Sequence, residues 1–292
     1  MLGKICGRLY NDYIRSERIS DYMDLVLLAK KSSYNIVSIG EFLALRKSGV
    51  VFGGENSRIL VMRHDIDTAP LTAALFALAE SCVGARASYF FRLSTINVPI
   101  MRALAEAGHE VGYHYEELAT VAKEKGVCKK EQVPDILEEA RNRFVENLTA
   151  LRARTGLPLR VAASHGDFAN RALGTSNTLL LAEQALRERA GIDAEAYDPE
   201  VEGPIAFRTM DFPYPRDWRS GDPAEAIRSG VGPILVVTHP RQWGRQLYWN
   251  AREDLKRTFE GLLFKCGIPH AWRRAGSNSR SVWRTSTERS AP

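Results

Sequence analysis

Cysteine is scarce in this 292-residue chain and poorly placed for cross-linking. Cys6, Cys82, Cys128 and Cys266 are scattered with no short paired spacing. That argues against a cysteine zinc site and against a disulfide framework. No apolar run approaches the ~20 residues of a membrane span, so no stable membrane insertion is expected. The N-terminus, Met1-Leu2-Gly3-Lys4-Ile5-Cys6, lacks an apolar signal core followed by a small-residue cleavage site. A cytoplasmic address is therefore the expectation. There is no internal repeat and no inter-domain linker before the C-terminal segment. One domain is expected, at a length that α/β barrels often use.

What is present is the composition of an ordinary globular protein, 45% hydrophobic and 26% charged. The formal net charge is +5, and much of the excess sits late, at Arg273, Arg274, Arg280, Arg284 and Arg289. The Ser-, Arg- and Thr-rich stretch 275–292 lacks apolar periodicity and reads as a disordered basic tail after a 1–274 domain. It falls short of a nucleic-acid signature. A mildly basic body suits an anionic substrate.

Strand and helix signals alternate along the chain. Helices are expected over 21–31 with Ser20 as cap, 41–46, 70–82, 99–107, 134–155, 179–189 and 252–264. Apolar stripes at helical spacing mark three of them: Leu71, Leu75, Leu78 and Cys82; Leu137, Phe144, Leu148 and Leu151; Leu255, Phe259 and Leu262. Strands are expected at 35–39, 59–64, 87–91, 109–114, 159–163 and 234–237. Residues 192–221 read as irregular. Such alternation implies parallel strands covered by helices.

The strands share one feature. Each apolar run ends in reactive side chains: Asp65 and Asp67, His114, Ser164-His165-Gly166-Asp167, and Thr238-His239-Pro240. In parallel α/β folds those C-terminal ends converge on the site. Residues two apart in a strand point the same way, so Asp65 and Asp67 can face one spot. Two adjacent carboxylates repel unless a proton or cation lies between them.

One carboxylate and two imidazoles bind zinc well and leave a position open for water. Asp67, His114 and His165 can supply that set. Metal-bound water becomes nucleophilic near neutral pH. Asp65 is the candidate general base and His239 the candidate acid for the leaving group. Together they describe hydrolysis of an amide or ester.

These residues carry a resemblance. Arg63 to Asp67, Ala87 to Phe91, Gly108 to His114 and Thr238 to Pro240 resemble, in order, four motifs of the NodB-type polysaccharide deacetylases, a metal-dependent carbohydrate esterase superfamily. More narrowly, the chain is similar to a deacetylase-like branch found among surface-polysaccharide biosynthesis genes. The shared segments are His64-Asp65-Ile66-Asp67, Tyr113-His114-Tyr115-Glu116, His165-Gly166 with Asn170-Arg171, and Thr238-His239-Pro240-Arg241-Gln242-Trp243. The resemblance implies a distorted (β/α) barrel of about seven parallel strands. It also implies Asp65 as base, Asp67 and His114 as ligands of a divalent metal, most simply Zn2+, and His239 as acid. The expected substrate is an N-acetylated sugar, free or linked to a biosynthetic precursor.

The chain departs from the wider family in two places. A second motif histidine is replaced by Leu118, so the third ligand comes from elsewhere: His165 first, Glu116 or Glu117 second. An Arg-Pro-Pro segment is missing at Val161 to Asp167. Arg63 could orient Asp65 instead, or pack as a plain ion pair. Arg63, Tyr113, Glu116 and Trp243 are candidate substrate contacts. Tyr113, Trp218 and Trp243 could stack on sugar rings, although core packing explains any one of them equally. Asp211 to Trp218 could form a substrate-side loop. His64 points opposite to Asp65, and His109 is expected buried and hydrogen-bonded. The sequon Asn147-Leu148-Thr149 falls in an expected helix, and His270 has no evident partner. Two alternatives stay open: a non-catalytic barrel that binds a glycan or partner, and a hydrolase of another C–N bond such as a cyclic amide.

Overall fold

The computed structural model describes residues 6–7, 9–50, 52, 58–212 and 217–269. His270 and the 275–292 tail lie outside them. Eight strands form one sheet: β1 (Asn35–Val37), β2 (Ile59–Ile66), β3 (Ser88–Phe91), β4 (Glu110–Tyr115), β5 (Val161–Ser164), β6 (Ala194–Glu195), β7 (Phe207–Met210) and β8 (Ile234–Thr238). Their order is β6-β5-β4-β3-β2-β8-β7, with β1 also on β2. Every pairing is parallel. β2 is the hub. Its first half pairs with β1 and its second half with β3 along one edge, while β8 lies along the other. The sheet curls into a distorted (β/α) barrel that stays open between β6 and β7 among the described residues.

Helices cover its outer face: α1 (Ile19–Lys31), α2 (Ile39–Lys47), α3 (Pro70–Ser81), α4 (Val98–Glu106), α5 (Glu117–Lys125), α6 (Val133–Thr155), α7 (Phe168–Leu173), α8 (Gln184–Ala190), α9 (Pro199–Glu202), α10 (Pro223–Arg228) and α11 (Leu247–Lys265). Local chemistry sets their ends. Ser38 and Glu41 make a capping box at the start of α2, which satisfies donors that a helix start leaves open. Gly156, at φ +73°, ends α6 in the left-handed conformation that glycine adopts freely.

Strand alternation divides the apolar side chains into two cores. Val37, Val61, Phe90, Ala163, Leu235 and Val237 fill the inside of the barrel. Leu60, Met62, Tyr89 and Tyr113 face outward, into the larger core beneath the helices. The inner space is tight at Gly112, where an added Cβ would lie 2.4 Å from the Val161 carbonyl and 2.5 Å from the Phe90 ring.

Several expectations change. Ser20 is not a cap, because α1 begins at Ile19 and Ser20 sits inside its first turn. The stretch 192–221 holds β6, α9 and β7; these are too short to show a period. The expected 179–189 helix divides into a 3-10 turn, Asn177–Ala182, and α8. α3 forms as expected but is rotated: Leu71, Leu75 and Leu78 are exposed, while Ala73, Phe76, Ala77 and Glu80 are buried. Both faces of this helix are apolar, and the small side chains allow the closer approach to the sheet.

Candidate active site

β2 delivers Arg63 and Asp65 to the inside of the barrel and runs on through Ile66, beyond the expected end at His64. Both oxygens of Asp65 accept from Arg63: Nε reaches Oδ1 at 2.8 Å and Nη2 reaches Oδ2 at 2.9 Å. Arg63 is fully buried, donates to the Tyr197 hydroxyl at 3.1 Å and lies over that ring. Asp67 follows just past the strand end.

β4 and β5 bring two imidazoles to Asp67. His114 Nε2 lies 3.4 Å, and His165 Nε2 3.3 Å, from Asp67 Oδ1. The two rings meet edge to face with centroids 5.2 Å apart. One donor atom from each of the three residues falls within 4.8 Å of the others. The far nitrogens are engaged elsewhere. His114 Nδ1 donates to the Ala163 carbonyl at 2.9 Å, and His165 Nδ1 sits 3.1 Å from Glu116 Oε2 as a charge contact. The backbone of His165 is pinned from both sides. Its N–H donates to the Tyr115 carbonyl, and its carbonyl accepts from Asn177 Nδ2 at 2.7 Å. Asn170, of the Asn-Arg pair, accepts from the same Asn177 amide.

Asp67 Oδ1 is buried yet makes no hydrogen bond. A buried carboxylate oxygen without a donor is costly unless something positive completes it. With two imidazole Nε2 atoms turned toward it, the donor set is of a kind that can hold a divalent metal ion. The rest of the carboxylate keeps the Asp67 side chain 19% exposed, so the cluster is reachable from solvent.

His239 stands on the other side of Asp65, with Nε2 4.0 Å from Asp65 Oδ2; His114 Nε2 is 3.6 Å from the same oxygen. Asp211, just past β7, accepts from His239 Nδ1 at 2.7 Å and from the His239 backbone N–H at 2.7 Å. Burial alone would lower the His239 pKa, but the Asp211 carboxylate overcomes it and raises the value to about 9. Burial opposes ionisation of Asp65 and Asp67 as well. The charges around them win: Arg63 and the histidines hold Asp65 low, and His165 and His114 hold Asp67 well below the usual carboxylate range. Glu116 is likewise held low against burial, chiefly by Arg92.

The four expected substrate contacts are all buried. Tyr113 is fully buried beneath α6, stacked on Phe144, with its hydroxyl on Glu117. The two-residue period that turns His114 inward turns Tyr113 outward. Trp243 is 2% exposed; its indole N–H donates to Asp211 at 2.8 Å and Arg18 covers its face. Glu116 is buried between Arg92 and His165. Arg63 grips Asp65 and has no open surface. Glu117 accepts from Asn147 at 2.7 Å and lies in the helix layer, away from the cluster. His64 faces outward as expected, 2.7 Å from buried Glu80 and 2.6 Å from Thr238 Oγ1. His109 sits in the same layer, 3.5 Å from Glu80. Of the expected loop from Asp211 to Trp218, residues 213–216 lie outside the described residues, and Trp218 is 5.8 Å from Trp243 by ring centroids.

Three site residues, Arg92, Tyr197 and Asp211, were not anticipated in these roles. Arg92 directly follows β3 and donates to Glu116 at 2.7 Å; its place after an apolar strand was the available signal. Tyr197 had none, because it depends on the two-residue strand β6.

Neither a protein-family model nor a curated protein sequence matches the chain. A solved structure it resembles is a mutant form of peptidoglycan deacetylase PdaC from Bacillus subtilis. Identity is 14%, covering 74% of this chain and 88% of that one, with a TM-score of 0.38. No residue role is carried over from it.

Proposed function

We propose that this chain is a metal-dependent hydrolase that removes an acetyl group from an N-acetylated sugar or a sugar-containing precursor. The observation that carries the reading is Asp67 Oδ1, buried without a hydrogen bond and faced by the Nε2 atoms of His114 and His165. The sugar class rests on the motif resemblance. Asp67, His114 and His165 would hold the ion, with Glu116 and the Ala163 carbonyl orienting the two rings. When bound, a zinc ion supplies Lewis acidity that polarises the acyl oxygen and makes water a stronger acid.

The remaining steps belong to the chain's own side chains. Asp65 is ionised at neutral pH and accepts the proton of the attacking water. Arg63 holds that carboxylate in one orientation through its two-pronged contact. His239 carries a proton at Nε2 at neutral pH and gives it to the departing nitrogen. Asp211 holds the ring and stabilises its cationic form. Asp65 Oδ2 lies between the two imidazoles, so one carboxylate serves both halves of the reaction.

The test is elemental analysis of the purified chain, with acetate release measured over a panel of acetylated aminosugars. About one metal per chain is expected. Asp65→Asn should retain that metal and lose turnover. A chain without stoichiometric metal that releases no acetate when zinc is added would overturn the proposal. Unaltered ligand affinity in the Asp65→Asn variant, with no turnover in the parent, would mark a binding module instead.

A further inference from the structure

Among the described residues, six of the large apolar side chains left exposed fall in two rows. Leu71, Leu75 and Leu78 form one row on α3, being 62%, 46% and 63% exposed. Tyr248, Leu255 and Leu262 form a second row on α11, being 71%, 75% and 59% exposed. Their seven-residue spacing is close to two helical turns, so the three lie along one line. Leu247 and Trp249 widen the start of that row. The two helices meet only near their starts, where Gln246 Nε2 donates to Thr72 Oγ1 at 3.2 Å. Single exposed leucines are ordinary, but contiguous rows mark a surface that meets something.

Charge decides what it meets. The three acids of α11 all reach cations on neighbouring elements: Glu253 to Arg92 at 3.3 Å, Asp254 to Arg241 at 2.6 Å and Glu260 to Lys123 at 3.5 Å. Two of its cations face outward instead. Arg252 is exposed within the apolar row, with its guanidinium over Trp249 at 5.6 Å, and Lys265 extends the row as an exposed residue. The outward face is therefore apolar and basic. A twofold pairing of this face would bring two basic surfaces together, with the acids of α11 already engaged on neighbouring elements. An anionic lipid surface satisfies both properties at once. Leucines enter the headgroup boundary, Tyr and Trp sit at its level, and Arg and Lys meet the headgroups. No described helix is long and apolar enough to cross a bilayer, so such contact is peripheral.

We propose that the exposed row of α11, with Arg252 and Lys265, forms a docking face for an anionic membrane surface. The proposal stands apart from the hydrolase reading. Flotation of the full chain with vesicles tests it, using phosphatidylcholine alone and phosphatidylcholine with about 30% phosphatidylglycerol. The chain is expected to float with the anionic vesicles and to be released by salt. Arg252→Gln and Lys265→Gln should each weaken binding roughly fivefold, and Leu255→Gln with Leu262→Gln should abolish it. Circular dichroism checks that the variants fold; Leu255→Gln alone is the second variant if the double substitution does not. Absence of flotation with anionic vesicles would overturn the proposal, as would equal flotation of all variants. So would a dimer, seen by sedimentation, that the leucine substitutions dissociate.

Discussion

His239 Nδ1 lies 2.7 Å from Asp211 Oδ1, and the other oxygen of that carboxylate accepts both the His239 backbone N–H and the Trp243 indole N–H. The imidazole is thus fixed by a residue from the neighbouring strand, not by its own. β7 and β8 pair in parallel up to Met210 and Val237, and this register places Asp211 alongside the last residues of β8.

If His239 is the general acid, its raised pKa of about 9 sets the alkaline limb of kcat/KM. Asp211→Asn removes the anion, and the limb should fall by about 2 pH units toward the ordinary histidine value. A pH–rate profile reads this directly. The stability effect has a defined sign. A histidine whose folded pKa is raised gives stabilisation that is complete below its unfolded value and disappears as pH rises through about 9. The thermal stability of Asp211→Asn should therefore vary less across that window.

The metal reading separates the three candidates for the third ligand. His165→Ala should lose the metal. Glu116→Gln should keep the ion but weaken its binding by roughly 10–100-fold, as expected for a partner that orients a ligand. Glu117→Gln should leave metal content unchanged, because that carboxylate is held by Tyr113 and Asn147 in the helix layer. Titration of the apo protein with zinc distinguishes the three. Metal loss in Glu117→Gln with retention in His165→Ala would reverse the assignment.

Arg63 separates orientation from stability. Lysine keeps the charge but cannot reproduce the two-pronged grip on Asp65. Arg63→Lys should fold, bind metal and lose kcat by about 10–100-fold. Arg63→Ala leaves a buried carboxylate without its counter-charge and should cost about 3–5 kcal/mol in urea unfolding.

Much of this was legible beforehand, for physical reasons that can be named. The alternating strands and helices were readable because buried parallel strands are continuous apolar runs. The convergence of Asp65, Asp67, His114, His165 and His239 was readable because each stands at the end of such a run. What escaped depends on pairing between segments. β6 has two residues and β7 four, so neither shows a period; without them Tyr197 has no place and Asp211 reads only as the start of a loop. α3 misled on orientation because its Ala-rich face packs as well as a leucine face would, and Glu80 is admitted to the interior by His64, Tyr22 and Tyr89. For Tyr113 strand parity is the readable signal, since it turns that side chain opposite to His114.

Gly112 links the packing of the barrel to its site. It stands two residues before His114 on the same inner face of β4, beneath the Phe90 ring and against the Val161 carbonyl. A methyl group there would meet backbone at 2.4 Å, which rotamer changes cannot relieve. Gly112→Ala should therefore force β4 away from β5 and cost about 1–3 kcal/mol, seen as a lower urea midpoint at unchanged slope. The same displacement moves His114 relative to Ala163, whose carbonyl orients the imidazole. Metal affinity should consequently fall together with stability, although the substituted residue touches neither the ion nor its ligands. An unchanged midpoint would mean that Phe90 and β5 yield without strain. An unchanged affinity at a lowered midpoint would mean that the His114–Ala163 hydrogen bond does not govern the ligand's position.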